Sequence, residues 1–436
     1  MRNFLLALLL LMGSTAFGQT SKTSYVKAGH LFDSQSGSYQ SDVVLVVEDQ
    51  RIQSIQTQNF SIPTNAQVID LSHAYVFPGL IDCHTHLGAR ADRYDPIFSF
   101  RLTPFDSAIA AVVNAKKTLE AGFTSVRDVG SAPFLAVDLR NNINEGFIPG
   151  PRIVASGPGI SITGGHGDLN NYSPQTSVQM FPEKRDFQIA DGPEQVRQTV
   201  REQVKYGVDV IKILATGGVL SKGDQPGAAQ YSFEELKMAA DTAHAAGRKI
   251  AAHAHGTQGI KWAILAGIDS IEHASLVDDE GIRLAKEHGT YFVMDIYDDD
   301  YILGNAKNFG IPQEFIEKER GVGRLQRENF RKAFQAGVKM AFGTDAGVYP
   351  HGDNAKQFHY MVMYGMTPAQ AIQAATWNAA DLIGRAKDVG SLTPGHFADL
   401  IAVNDDPLQH VETLEHVQLV MKGGSIVKDE LTHPAN

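Results

Sequence analysis

Six times along the middle of the chain, a segment ends at Gly, a short apolar run follows, and the run meets a polar residue. Ala121-Gly122 leads to Asp128, Tyr206-Gly207 to Lys212, Ala246-Gly247 to His253, Ala266-Gly267 to His273, His288-Gly289 to Asp295 and Ala336-Gly337 to Asp345. Each Gly suits the position just past a helix, where a left-handed residue closes the last turn. The preceding segments, such as Phe233 to Ala246 and Glu328 to Ala336, have helical spacing. Further strands at Val76 to Asp82 and Arg152 to Ser156 bring the number of βα units to eight. Alternating strands and helices imply a parallel sheet, and eight units predict a (β/α)8 TIM barrel. In that α/β fold the reactive side chains gather at the C-terminal strand ends, which is where this repeat puts its polar residues.

The two ends of the chain have a different texture. Asp42 to Val47, Arg51 to Ile55 and Gln67 to Leu71 read as short strands, as do Ala398 to Val403 and Val417 to Met421, with Lys422-Gly423-Gly424 as a turn. They predict a small β-sandwich domain assembled from both ends. The expected division is a signal peptide over 1–18, sandwich over 19–77, barrel over 78–391 and sandwich again over 392–436. The length of 436 residues accommodates one large domain and one small one.

Residues 1–18 stand apart. Arg2 gives a positive start, Phe4 to Met12 is an apolar run too short to span a bilayer, and Ala16-Phe17-Gly18 fits a cleavage site. The expectation is a periplasmic or secreted protein, cleaved near Gly18. Its one cysteine, Cys83, allows no disulfide within the chain, so core packing or bound metal must stabilise it. Cys83 alternates away from its neighbouring histidines and is expected to pack between strands and helices. The net charge is −11, with no basic cluster to offset it. That excludes nucleic acid and the membrane surface as natural partners and leaves a small-molecule substrate, with self-association into a homo-oligomer compatible.

Asp82-Cys83-His84-Thr85-His86 closes the first barrel strand. Strand side chains alternate, so His84 and His86 share a face and can grip one metal ion. Lys212, His253, His273 and Asp345 close four other strands, so one mouth would gather all six. His255 shares the inward face with His253 and competes with it as the fifth-strand ligand. Asp295, placed by the same repeat, is expected to face the mouth and read a cationic substrate group, or else to cap the next helix. His166 in Gly164-Gly165-His166-Gly167 and Tyr231 in Gln230-Tyr231-Ser232 lie in loops over the mouth and are expected to donate to a substrate carboxylate or oxyanion. His351 and His359 are expected in surface or loop positions, and Glu272 and Asp82 behind the ligands.

The stretches Phe77 to His86, Ile211-Lys212-Ile213, His253-Ala254-His255-Gly256, Ser270-Ile271-Glu272-His273 and Gly343-Thr344-Asp345 resemble the amidohydrolase superfamily over nearly all of the mature chain. Ala215-Thr216-Gly217-Gly218 and His-Ala-His-Gly look like the branch of metal-dependent Xaa-Pro and Xaa-Arg/Lys dipeptidases (carboxypeptidases) and ochratoxin amidases. The mononuclear deaminase branch, with Glu in a His-x-x-Glu pattern and no bridging lysine, fits less well. The resemblance implies two zinc ions. His84, His86 and Asp345 would hold one, His253 and His273 the other, and Lys212, carboxylated by CO2, would bridge them. A carbamate offers two anionic oxygens, which an amine does not. It also implies hydrolysis of the amide bond before a C-terminal amino acid by a metal-bridging hydroxide, with Asp345 as base and then acid. An N-acyl amino acid amidase, including the ochratoxin type, is the alternative. A catalytically inactive secreted binding protein is disfavoured by the six intact positions. Met294-Asp295-Ile296-Tyr297 replaces the Pro-Thr-Leu common in the branch, so dipeptidase specificity does not transfer automatically.

Overall fold

The computed structural model describes residues 22–92, 94, 101–180 and 187–431, so the expected signal peptide lies outside the described residues. Four strands open the chain: β1 (Thr23–Asp33), β2 (Ser38–Glu48), β3 (Arg51–Thr57) and β4 (Gln67–Pro78). Three close it: β12 (Leu400–Val403), β13 (Leu419–Lys422) and β14 (Ser425–Asp429). They form one seven-stranded sheet in the order β14-β13-β12-β4-β1-β2-β3, so both ends do build one β unit. β12 joins it antiparallel to β4, with Leu400 opposite Pro78 and Val403 opposite Tyr75. Val26, Leu45, Ile52, Val76, Leu400 and Met421 share one buried apolar cluster.

The middle alternates strands and helices as expected. β5 (Leu80–Thr85), β6 (Phe123–Asp128) and β7 (Arg152–Ala155) form one parallel sheet; β8 (Val210–Leu214), β9 (Lys249–Ala254), β10 (Ser270–His273) and β11 (Tyr291–Val293) form another. Backbone bonds continue beyond the sheet edges. Ile160 N–H donates to Lys212 O at 2.8 Å, Phe292 N–H to Lys339 O at 2.9 Å, Cys83 N–H to Phe342 O at 2.9 Å and Asp345 N–H to His84 O at 2.9 Å. Gly79 is the joint between β4 and β5, and a Cβ there would meet Thr124 Oγ1 at 2.1 Å. No larger residue lets the first inner strand lie against β6.

The six glycines of the repeat, at 122, 207, 247, 267, 289 and 337, all have positive φ, between 67° and 99°. The helix before Gly337 is far longer than expected, running Gln313–Ala336 over 24 residues. Its inward row includes Phe315, Val322, Gln326 and Phe330. Cys83 is buried beside Ile81, Val154, Ala379 and Ala380, as alternation predicted. Among the described residues no helix is long and apolar enough to cross a membrane.

Candidate metal centre

The polar residues of the repeat converge, though not all at strand ends. Asp128 and His273 are terminal residues of β6 and β10. Lys212 is central in β8, which continues to Leu214, and Asp295 and Asp345 follow their strands or lie outside any. Asp128, Lys212, His253, His273 and Asp295 are nonetheless buried and Asp345 is partly buried, and His84 contacts both His86 and His273, with ring centroids 5.3 and 5.0 Å apart.

Hydrogen-bond partners decide which ring nitrogens are bare. His84 Nδ1 lies 2.9 Å from Glu272 Oε2. Burial would raise Glu272, but Arg127 and His84 hold it well below the usual carboxylate range. It therefore only accepts, so His84 Nδ1 donates and Nε2 keeps a lone pair. His86 Nδ1 donates to Gly130 O at 2.7 Å, leaving Nε2 bare in the neutral ring, while the Asp345 carboxylate, against burial, favours that ring's protonated form. Those two nitrogens lie 3.4 and 3.0 Å from Asp345 Oδ1, a buried oxygen with no hydrogen-bond donor. Three lone pairs facing one another repel unless a cation sits among them. His273 Nδ1 donates to Asp295, with both carboxylate oxygens at 2.9 Å. His253 Nε2 donates to Gly217 O at 3.2 Å, leaving Nδ1 bare, and His255 Nδ1 pairs with Ser275 Oγ at 2.8 Å.

Nitrogen and carboxylate atoms of His84, His273 and Asp345 lie within 4.8 Å of one another, as do those of His253, His255 and His273. These donor sets fit a metal ion of the nitrogen- and oxygen-binding type. Both fifth-strand histidines reach the second set, so both remain candidate ligands. Burial lowers the His84 ring to about 4, keeping it neutral. Burial also pushes Lys212 down to about 8, against the pull of Glu272 and Asp345, so its uncharged amine is accessible near neutral pH. His273 and Asp345 have φ of 70° and 55°, a left-handed backbone that non-glycine residues hold only under constraint.

Behind these residues stands a second tier. Arg127 Nη2 donates to Glu272 Oε1 at 2.8 Å and its Nη1 to Ser270 Oγ at 3.0 Å. Asp82 accepts from Thr344 Oγ1 at 2.5 Å, Asn354 Nδ2 at 2.8 Å and His84 N–H at 3.1 Å. Asp128 accepts from Leu87 N–H at 2.7 Å, steadying the turn after His86. Gln326 Nε2 donates to Asp295 Oδ1 at 2.7 Å. Sequence reasoning anticipated Glu272 and Asp82 but missed Arg127 and Gln326. A lone arginine inside the apolar run before Asp128 was the available signal for the first; the second had none.

Two expectations change. Tyr231 is 1% exposed within the core, and its hydroxyl donates to Ala190 O at 2.9 Å. It packs the loop and offers the mouth no donor. Asp295 does lie beside the site, but its oxygens are committed to His273 and Gln326, so it orients the His273 ring and is not free to read a substrate amine. His351 lies in a turn, as expected, and is buried there against Thr118 Oγ1 at 3.1 Å and His86 O at 3.2 Å. His166, by contrast, does reach the site. Its ring stacks on His253 with centroids 4.3 Å apart. His359 is at the surface, paired with Glu412 at 2.6 Å.

Comparisons with known proteins agree with this geometry. The amidohydrolase family profile matches residues 75–427. An ochratoxinase from Aspergillus niger is 36% identical over 368 residues, covering 81% of this chain and 75% of that one. A crystal structure of a Xaa-Pro dipeptidase with methionine bound in its active site superposes with a TM-score of 0.88 at 39% identity, covering 93% of this chain and 100% of that one. A prolidase complexed with N-methylphosphonate-L-proline gives a TM-score of 0.86 at 31% identity, covering 94% and 100%.

Proposed function

Because the chain belongs to the amidohydrolase family and is a hydrolase of amide C–N bonds, we propose that it is a binuclear zinc enzyme releasing a C-terminal amino acid from a dipeptide or N-acyl amino acid. The inner strands are read as a closed (β/α)8 barrel, with the terminal sheet as its companion β-sandwich. One observation carries the metal reading: the bare Nε2 atoms of His84 and His86 aimed at the donorless Asp345 Oδ1. In this reading His84, His86 and Asp345 hold one ion and His253 and His273 the other, with a carboxylated Lys212 between them. Zinc there would polarise the scissile carbonyl and ionise the attacking water near neutral pH.

The chain's own residues do the rest. Glu272 and Asp295 each hold one ligand histidine in the tautomer that leaves Nε2 free. The Asp345 carboxylate takes the proton of the attacking water and delivers it to the leaving nitrogen, which cannot depart as an anion. The buried walls exclude bulk water and strengthen each of these interactions.

A second reading, an N-acyl amino acid amidase of the ochratoxin type, is favoured by one feature. Asp295, the carboxylate expected to greet a free amine, is occupied by His273 and Gln326. The 36% identical ochratoxinase points the same way. Metal-loaded protein, incubated with bicarbonate and then with matched dipeptides and N-acyl amino acids, should release the C-terminal amino acid. Absence of release from both groups would reject the proposal, and the faster group selects between its two forms.

A further inference from the structure

Lys318 sits on the helix Gln313–Ala336 with its ammonium in the protein interior, 8% exposed. All three of its protons find acceptors. Nζ donates to Asp224 Oδ1 at 2.9 Å, to Ser221 O at 2.6 Å and to Gly218 O at 3.2 Å. Asp224 is equally buried, and Ser221 Oγ donates to its Oδ1 at 2.6 Å. One turn earlier on the helix, Glu314 Oε1 accepts from Gly223 N–H at 3.1 Å. A buried ion pair of this kind adds little stability over an apolar pair of the same size, yet is costly to break. What it supplies is a fixed geometry for the turn it holds.

That geometry reaches the candidate metal centre through a single peptide plane. Asp224 Oδ2 accepts from Gly218 N–H at 2.9 Å. The carbonyl of the same peptide unit, Gly217 O, accepts from His253 Nε2 at 3.2 Å and from Thr216 Oγ1 at 2.9 Å. A trans peptide is planar, with its C=O and N–H pointing opposite ways, so a grip on the N–H aims the oxygen. Three hydrogen bonds therefore run from Lys318 through Asp224 and the 217–218 peptide to the His253 ring. Side chains are excluded along the way. A Cβ on Gly217 would meet Gln225 O at 2.2 Å, and one on Gly218 would meet the His166 ring at 2.1 Å. Gly217 O has no proton to give, so His253 Nε2 donates and Nδ1 is the nitrogen left to ligate.

We propose that Lys318 and Asp224 are positioning residues for one half of the metal centre, holding the Gly217–Gly218 peptide so that His253 offers Nδ1 as its ligand atom. This rests on the binuclear reading above. Neither side chain belongs to a candidate ligand group; both act through the peptide. Without the pair, the two glycines leave that peptide free to rotate, and the His253 ring loses the partner that fixes its proton on Nε2. The other half of the centre does not depend on this turn. His84 is held by Glu272 and His86 by Gly130 O. Loss of the pair therefore loosens one ion and spares the other.

The test loads wild type, Lys318→Met, Asp224→Asn and the double variant with zinc and bicarbonate, then follows zinc release to a chromophoric chelator. Wild type should give up two ions. In the variants one ion should be held ~10–100-fold more weakly and the other unchanged. The weakened ion should be the one missing from His253→Ala. The double variant should lose no more affinity than the worse single variant, because both residues act through one peptide. It also buries no unpaired charge, which keeps the test open where a single variant fails to fold. In metal-free protein, at a pH where the ring is neutral, 15N chemical shifts should place the His253 proton on Nε2 in wild type and on both nitrogens in the variants. A latch that serves stability alone would lower the urea midpoint and leave the ion affinities and the tautomer as they were. That result in folded variants overturns the inference and leaves the binuclear reading intact, and so does equal weakening of both ions. A wild type that takes up fewer than two ions rejects the binuclear reading itself, and this inference with it.

Discussion

Glu272 Oε2 holds His84 Nδ1 at 2.9 Å while Arg127 holds the same carboxylate at 2.8 Å, all three side chains being almost wholly buried. Arg127 stands on β6, Glu272 on β10 and His84 on β5, so the ion pair ties a candidate ligand to the opposite side of the inner strands. Replacing Glu272 with Gln weakens the grip on His84 and leaves Arg127 buried without its counter-charge. Metal affinity should fall by ~10–100-fold, measured by competition with a chromophoric chelator. Unchanged affinity would mean that packing alone sets the ring.

Lys212→Ala should lower metal content from about two ions per chain toward one and abolish turnover, because the proposed bridge is gone. Elemental analysis after loading with zinc and bicarbonate reads the first effect. Full occupancy with normal turnover would remove the bridging lysine from the mechanism.

Asp345→Asn should keep much of the metal, since the amide oxygen can still ligate, yet lose several orders of magnitude in kcat. A change confined to KM would assign proton transfer to another group, with His255 beside the centre the first to examine.

Asp295→Asn separates orienting from reading. With both oxygens on His273 and one on Gln326, the carboxylate should matter to metal retention. The ratio of rates for a free dipeptide and its N-acetyl form should stay constant. A ratio that moves while metal content holds would restore Asp295 as a substrate contact.

Glu319 supplies a pH signature. Burial, then Asp299 and Asp295, raise its carboxyl to about 8 from the ordinary glutamate value of 4.5. The folded state thus binds a proton that the unfolded state gives up. The resulting stabilisation is complete below about 4.5 and is lost as pH rises through about 8. Glu319→Gln should therefore flatten the fall in stability over that window, by an amount on the order of 5 kcal/mol. Urea midpoints at several pH values check it, and parallel curves would contradict it.

How much of this was legible in sequence depended on how local the cause is. The helix-ending glycines were readable because one residue's φ is set by its immediate neighbours, and all six are left-handed as expected. The meeting of His84 and His86 was readable because strand alternation carries both to one face, where their rings lie 5.3 Å apart. Tyr231 and Asp295 were placed in the correct region, but their partners Ala190, His273 and Gln326 lie 41, 22 and 31 positions away. No pattern in the sequence announces which of several polar groups will consume a donor or acceptor. The link of Asp224 to Lys318 spans 94 positions. The 24-residue helix was read short because only its last turns before Gly337 were recognised as helical.

The place of β4 between β1 and β12 has a consequence in time. Synthesis delivers β1 to β4 first, and the inner edge of β4 then waits for Leu400–Val403, more than 300 residues later. Until then Tyr75 to Pro78 present unpaired backbone groups on an apolar strand, a template that any passing strand can extend. A ribosome that stalls before residue 400, or a protease that trims the last strands, leaves a nascent polypeptide with an adhesive border though every residue of the candidate metal centre is present. Quality control for this chain therefore falls on Leu400–Val403 and the strands after it, none of which supplies a candidate ligand.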